Sequence, residues 1–355
     1  MRTSHTLAMG IGIVAVALVL AGCSAGTSTT TPSSSTSGAP KSLTKVSFQL
    51  NNPPNGSNSG FAVAVEEGFY KKLGLDVTIV PGTGSSLTAQ LVSSGQATIG
   101  YADSTATTQL IAQKAPMTVL STIYQSNPNE VIALSGSGIK SIADLKGKTV
   151  GTPVPSSQAS MLPLFLKANK LSTDSVNLVN LPPTSLVQSL LSKKVDAILG
   201  SLDTYQVQAN QQGAKNLFTA TFAANGVPTV STSIFASNSY ITRNPEVVKA
   251  FIKGSLQGWK VASTNQSKAI ADLKKLWGAS ASPTAAEELK AIIGGNLLCA
   301  GGAKYVGQAT PASWKTTQDL LSQAGLLPKG IDPTTYYSNK YLPANSELQA
   351  CPIAK

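Results

Sequence analysis

The chain has one histidine, His5, and two arginines, Arg2 and Arg243, in 355 residues. Beyond residue 5 it therefore lacks the commonest general base near neutral pH. Ser-His and Cys-His nucleophile pairs and histidine-ligated metal sites are excluded from the body of the protein. No Cys-x-x-Cys pair and no GxxxxGK[ST] phosphate loop occurs. These absences weigh against hydrolases and oxidoreductases, so no enzyme activity, cofactor or metal is expected. The formal charge of +11 rests on scattered lysines, and no stretch interleaves basic with aromatic residues, so nucleic-acid binding is not expected. A bland basic surface beside an anionic envelope accounts for the excess.

What the N-terminus does contain decides the compartment. Arg2 precedes an apolar run from Leu7 to Leu20, which is short for a spanning helix of roughly 20 residues and suits an export signal. Leu20-Ala21-Gly22-Cys23 follows and resembles the lipobox of bacterial lipoproteins. The resemblance implies cleavage after residue 22, a signal peptide over 1–22, and acylation of Cys23 with fatty chains such as palmitate. Residues 24–40 are almost wholly Ser, Thr, Gly, Ala and Pro, a composition too polar and small to bury a core. Residues 23–44 therefore read as a lipidated tether, and the expected location is the extracytoplasmic face of the cell membrane. Two cysteines remain, Cys299 and Cys351; in an exported chain they are a candidate disulfide, with two buried thiols as the alternative.

The body is long enough for two domains. Short strands alternate with amphipathic helices. Strands are expected at 45–51, 76–80, 97–101 and 117–124, with one helix carrying Phe61, Val65, Phe69 and Leu73 on one face, and others at 86–94 and 104–114. A second series begins near residue 130, with strands at 149–151, 176–179 and 195–199 and helices at 156–170 and 184–192. The β-rich run 229–236 reads as a strand returning to the first lobe, followed by helices opened by Asn244-Pro245, Asn265 and Ser282-Pro283. The fold class is α/β on largely parallel sheets: one lobe from 45–127 plus 228–355, the other from 128–227. Ligands of open α/β sheets collect outside the carboxyl ends of the strands, so the loops there are the expected lining of a cleft.

Several motifs in order resemble a known family. Gly60 to Tyr70, with Glu66, Glu67, Gly68 and Phe69, then Gly74-Leu75-Asp76-Val77, is similar to the opening of nitrate/taurine-type and thiamine-pyrimidine-type solute-binding proteins. Leu91 to Ala97, Gly138 to Ser141, Asp144 to Lys148, Val195-Asp196-Ala197 and Asn244 to Phe251 continue the likeness. It implies a two-lobe periplasmic-binding-protein type II fold, hinge closure on a small organic solute, and a monomer that delivers it to ABC permease subunits. Gly68, Gly74 and Gly95 most simply end helices or permit turns.

The candidate ligand residues sit in the strand-end loops. The first lobe offers Asn51, Asn52, Ser57, Asn58, Thr83, Gly84, Ser85, Tyr101, Asp103, Ser104, Tyr124 and Gln125. The second offers Thr152, Ser156, Ser157, Gln158, Ser201, Asp203, Thr204 and Tyr205. Each is also a natural capping or turn residue. The three tyrosines could stack on a planar ring, and Asp103 with Asp203 could hold an amine or ring N–H. Scarce arginine disfavours a sulfonate or nitrate, and the Trp-x-Pro start and histidine of pyrimidine-precursor binders are absent. The expected solute is neutral or cationic. Trp259, Trp277 and Trp314 are expected in the core. The alternatives are an enzyme on the same fold, akin to pyrimidine-precursor synthases that need a reactive histidine and a cofactor lysine, and a structural or adhesive lipoprotein.

Overall fold

The computed structural model describes residues 42–153 and 156–353; the expected signal, Cys23 and most of the tether lie outside the described residues. Among the described residues, ten strands form two five-stranded sheets. The first sheet contains β1 (Thr44–Gln49), β2 (Leu75–Val80), β3 (Ile99–Ala102), β4 (Met117–Thr122) and β10 (Ser233–Ser237), in the order β2-β1-β3-β10-β4. The second contains β5 (Asn129–Ala133), β6 (Thr149–Thr152), β7 (Asn177–Asn180), β8 (Ala197–Ser201) and β9 (Phe218–Thr221), in the order β7-β6-β8-β5-β9.

β1 runs parallel to β2 and β3, and β6 runs parallel to β7 and β8. β10 is antiparallel to β3 and β4, and β5 is antiparallel to β8 and β9. Topology explains these departures from a parallel sheet. The chain leaves β4 at its carboxyl end and enters the facing lobe, so β5 runs away from the cleft while its neighbours run towards it. β10 does the same on the way back. Of the run 229–236, only the part from Ser233 pairs as a strand.

Helices cover the sheets. The first lobe carries α1 (Ser59–Glu66), α2 (Phe69–Lys72), α3 (Ser85–Ser93) and α4 (Ser104–Ala112). The second carries α5 (Ser157–Ala168), α6 (Leu186–Leu191) and α7 (Tyr205–Gln211). The C-terminal third adds α8 (Asn238–Arg243), α9 (Pro245–Thr264), α10 (Gln266–Trp277), α11 (Ala285–Gly294) and α12 (Pro311–Gln323). The single helix expected through Phe61 and Leu73 is broken at Gly68, whose φ of 68° is left-handed. α7, α8 and β9 carry too little periodicity to be read from sequence.

An aromatic column fixes the first lobe. Phe48 of β1 meets Phe61 of α1 at 4.9 Å and Phe251 of α9 at 4.8 Å, and Phe61 meets Trp259 at 5.8 Å and Tyr101 of β3 at 4.8 Å. Edge-on pairs of this kind stabilise by about 0.5–1.5 kcal/mol each beyond their burial. α1 can approach α9 closely because glycines face each other. A Cβ on Gly258 would lie 1.9 Å from the Gly60 carbonyl oxygen, and one on Gly60 would lie 2.5 Å from the Trp259 indole. Trp259 and Trp314 are fully buried, whereas Trp277 is half-buried at the end of α10.

The C-terminal segment does not belong to the first lobe alone. Trp314 of α12 packs with Tyr336 and Tyr337 in a first-lobe cluster. Leu321 of the same helix lies in the second-lobe core with Phe165 and Phe222. Cys299, beyond α11, is joined by a disulfide to Cys351, their Cα atoms 5.6 Å apart.

Candidate functional site

Two crossings, residues 123–128 and 222–232, connect the lobes and run side by side. Tyr124 N–H donates to the Thr232 carbonyl, Ser231 N–H to that of Tyr124, and Asn127 N–H to that of Thr229. The buried Asn127 side chain staples the two, donating to the Val227 carbonyl at 2.8 Å and to Thr229 Oγ1 at 3.0 Å. α4 and α5 already meet, Thr105 Oγ1 lying 3.9 Å from Met161 Sδ.

The expected site residues fall into two groups. The first holds the loops in shape. Ser85 Oγ accepts from Asp103 N–H at 3.1 Å and from Asn51 Nδ2 at 3.2 Å, tying together the loops after β1, β2 and β3. Gly82 N–H donates to the Asn52 carbonyl, and a Cβ there would sit 1.9 Å from the Leu50 carbonyl oxygen, so only glycine fits. Ser57 and Asn58 close the short turn at Asn55, while Asn52 and Thr83 are exposed and Gly84 begins α3. Ser156 caps α5 through Ala159 N–H at 3.1 Å and lies 3.4 Å from Thr152 Oγ1; Ser157 faces Gln158 at 3.3 Å.

Asp103 also belongs to this group. It caps α4 by accepting Thr105 N–H at 2.9 Å and takes the Ser231 hydroxyl at 2.7 Å, and Ser104 binds the Ser231 carbonyl. Both its carboxylate oxygens are thus engaged in shaping the loop.

The second group gathers around Asp203, beside the hinge. Asp203, after β8, is buried and accepts the Tyr124 hydroxyl at 3.1 Å. Burial raises its carboxyl above the usual range, while hydroxyls of Ser201 and Tyr124 oppose the shift. Tyr101 and Tyr124 are fully buried, and burial together with the Asp203 charge pushes both phenols far above their ordinary value. Burial and the same charge also raise the half-buried Tyr205. The Tyr101 hydroxyl lies near Thr232 but makes no well-formed hydrogen bond. Gln125 donates to the Thr122 carbonyl at 2.5 Å, leaving its Oε1 buried without a partner, as is Asn58 Nδ2.

Two members were not expected from sequence. Glu130, the second residue of β5, is 1% exposed. Burial and then the nearby Asp203 push it up to about 8, and its Oε1 has no partner. Glu288 of α11 accepts Gly56 N–H at 2.7 Å and the hydroxyls of Ser282 and Thr284 at 2.8 and 2.7 Å, and its charge reaches Asp203 and Tyr124. Glu130 had a faint signal, an acid directly after the hinge in Asn127-Pro128-Asn129; Glu288, far along the chain, had none. A separate groove of about 540 Å³ lies between α7 and α11, lined by Leu202, Gln206, Asn210, Glu287 and Lys290, and includes none of the expected residues.

Comparison with known proteins places this geometry. A protein of Haemophilus influenzae assigned to thiamine biosynthesis is 30% identical over 163 residues, which are 46% of this chain and 52% of that protein. The chain thus spans about half the length of that relative. The riboflavin-binding protein RibY of Chloroflexus aurantiacus is 25% identical over 321 residues, 87% of this chain and 89% of the relative. Among solved structures, the periplasmic aliphatic sulphonate binding protein SsuA of Escherichia coli shares the fold with a TM-score of 0.66 and 17% identity, over 84% of this chain and 99% of that one. The NMT1/THI5-like family model matches residues 55–269, which run from the turn after β1 through both lobes into α10, and the chain belongs to that family.

Proposed function

We propose that this protein is the extracytoplasmic solute-binding component of an ABC importer, and not an enzyme. The observation that carries the reading is the base of the cleft. Buried polar groups from both lobes, including the unpartnered Tyr101 hydroxyl, Gln125 Oε1 and Glu130 Oε1, converge beside a two-stranded hinge. Buried polar atoms without partners are costly, and a bound solute would satisfy them. The name of RibY, a relative over most of its length, supports a binding role. No histidine is available within residues 42–353 for the proton transfers an enzyme on this fold would need.

The lobes, 45–127 with most of 228–355 and 128–227, close on the solute about the two crossings, and the closed monomer docks on the permease. Cys23 carries the lipid that holds the protein at the membrane, and residues 24–40 give it reach. Among the described residues no helix is long and apolar enough to cross a membrane.

A thermal-shift screen of the mature chain against amines, pyrimidines, flavins, sulfonates and amino acids tests the reading. A bound solute raises the melting temperature with the logarithm of its concentration over Kd, and Asp203→Asn and Tyr124→Phe weaken it. Chemical turnover of the bound compound, or binding indifferent to both substitutions, sinks the proposal. Mass spectrometry of the exported chain, with Cys23→Ser as control, tests the anchor; an unacylated Cys23 refutes it.

A further inference from the structure

The surroundings of Asp203 are short of positive charge. Carboxylates of Asp203, Glu130 and Glu288 are contributed there by three elements, and no salt bridge among the described residues includes any of them. Buried charges are ordinarily paired or give up their charge. Glu288 is compensated by its three donors. Asp203 has hydroxyl partners, and Glu130 leaves an oxygen with none. The Tyr101 hydroxyl, fully buried and within reach of the Asp203 charge, is a second polar atom there, with no well-formed hydrogen bond beyond its approach to Thr232. A metal ion does not fit: among the described residues no three Asp, Glu, Cys or His are placed to ligate one. What the pair lacks is a positive charge of organic size with its own N–H donors.

Resting on the solute-binding reading above, we infer that Glu130 and Asp203 are the charge-selecting pair of the site, taking a small organic cation with N–H donors and releasing one proton as it binds. The proton leaves Glu130 for solvent. Without solute, burial and the Asp203 charge keep Glu130 protonated up to about pH 8. An opposite charge within a few ångströms favours the carboxylate, so the arriving cation replaces the proton and the local charge is conserved. The Glu288 charge bears on Asp203, whose own charge acts in turn on Tyr101, Tyr124 and Tyr205, and none of these groups is cationic. Binding should therefore tighten by up to about tenfold for each unit of rising pH below 8, and level off above it.

The test uses the mature chain and matched probes: benzylamine, putrescine and 4-aminopyridine, their hydroxyl counterparts benzyl alcohol, 1,4-butanediol and 4-hydroxypyridine, and choline, a cation without N–H. Melting temperatures are read at pH 6 and 8.5, and hits are titrated by calorimetry in two buffers of different ionisation enthalpy to count released protons. The expected result is an amine that binds at least tenfold tighter than its hydroxyl counterpart and than choline, with affinity rising towards pH 8.5. Asp203→Asn should abolish binding, and Glu130→Gln should bind equally at both pH values with no proton released. Equal binding of the hydroxyl counterparts, or an unchanged pH dependence in Glu130→Gln, overturns the inference. Silence of the amines while a flavin, sulfonate or amino acid binds overturns it too, but leaves the solute-binding reading standing. Silence of every compound counts against both.

Discussion

At the residue scale, the two aspartates show how one residue type takes opposite roles. Asp103 follows β3 and begins a helix, so its carboxylate is taken up by the Thr105 N–H and the Ser231 hydroxyl. Asp203 follows β8, is buried, and lies among groups on which its charge acts rather than capping a helix. Both positions were legible in the sequence as strand-end acids, but the division of labour was not, because it depends on what the folded chain brings alongside. Glu130 makes this measurable. Its carboxyl is raised from 4.5 to about 8, so between those values the folded state holds a proton that the unfolded chain has released. The contribution of Glu130 to stability is then greatest below about 4.5 and is lost as pH rises to 8, by up to about 1.4 kcal/mol per unit. Asp203, raised for the same reason, adds loss in the same direction at the acidic end. Glu130→Gln keeps a neutral hydrogen-bonding group of the same shape and should flatten the slope. Urea unfolding of both proteins from pH 5 to 8.5 checks this, and parallel curves would refute it.

At the element scale, short apolar runs, helical periodicity and turn residues indicated most strands and helices; β3, β5 and β8 are buried along their whole length, whereas β2 alternates. These signals were silent about contacts between elements. Gly60 and Gly258 read as ordinary small residues within helical patterns, yet they set the distance between α1 and α9 and, through Phe61, the position of Tyr101. Gly258→Ala would drive a methyl group to 1.9 Å from a backbone oxygen, which no side-chain rotation relieves. A loss of about 3 kcal/mol is expected, the upper end for overpacking, with a displaced α1. Gly294→Ala is the control: its Cβ would meet nothing within 4 Å, and it lies in the last turn of α11. That variant should be neutral or up to about 1 kcal/mol more stable. Denaturant midpoints of the two variants decide the point, and equal effects would mean that helix propensity, not close packing, governs Gly258.

At the scale of the whole molecule, the two-lobe plan follows from the repeated strand–helix series, but what restrains the lobes does not. The disulfide joins residues 52 apart in sequence, and in the chain-entropy view its removal by Cys299→Ser with Cys351→Ser costs about 4 kcal/mol, read by calorimetry. It lies with the first-lobe core and should leave the hinge untouched. α12 is different. Trp314 anchors it in the first lobe and Leu321 in the second, and between them Thr317 Oγ1 accepts the Val230 N–H at 3.0 Å, on the returning crossing. One rigid helix thus touches both lobes and the hinge, and any opening must shift or bend its contacts. Thr317→Val preserves volume but leaves the Val230 amide without its acceptor, at a cost of about 1–3 kcal/mol. Leu321→Ala empties part of the second-lobe core, at about 2–5 kcal/mol. If α12 restrains opening, both variants will show a larger radius of gyration by small-angle X-ray scattering without solute, and faster amide exchange at residues 229–231. The disulfide variant, though of similar stability loss, will show neither. Equal expansion in all three would mean that lost stability alone loosens the lobes, and that α12 is merely part of the core.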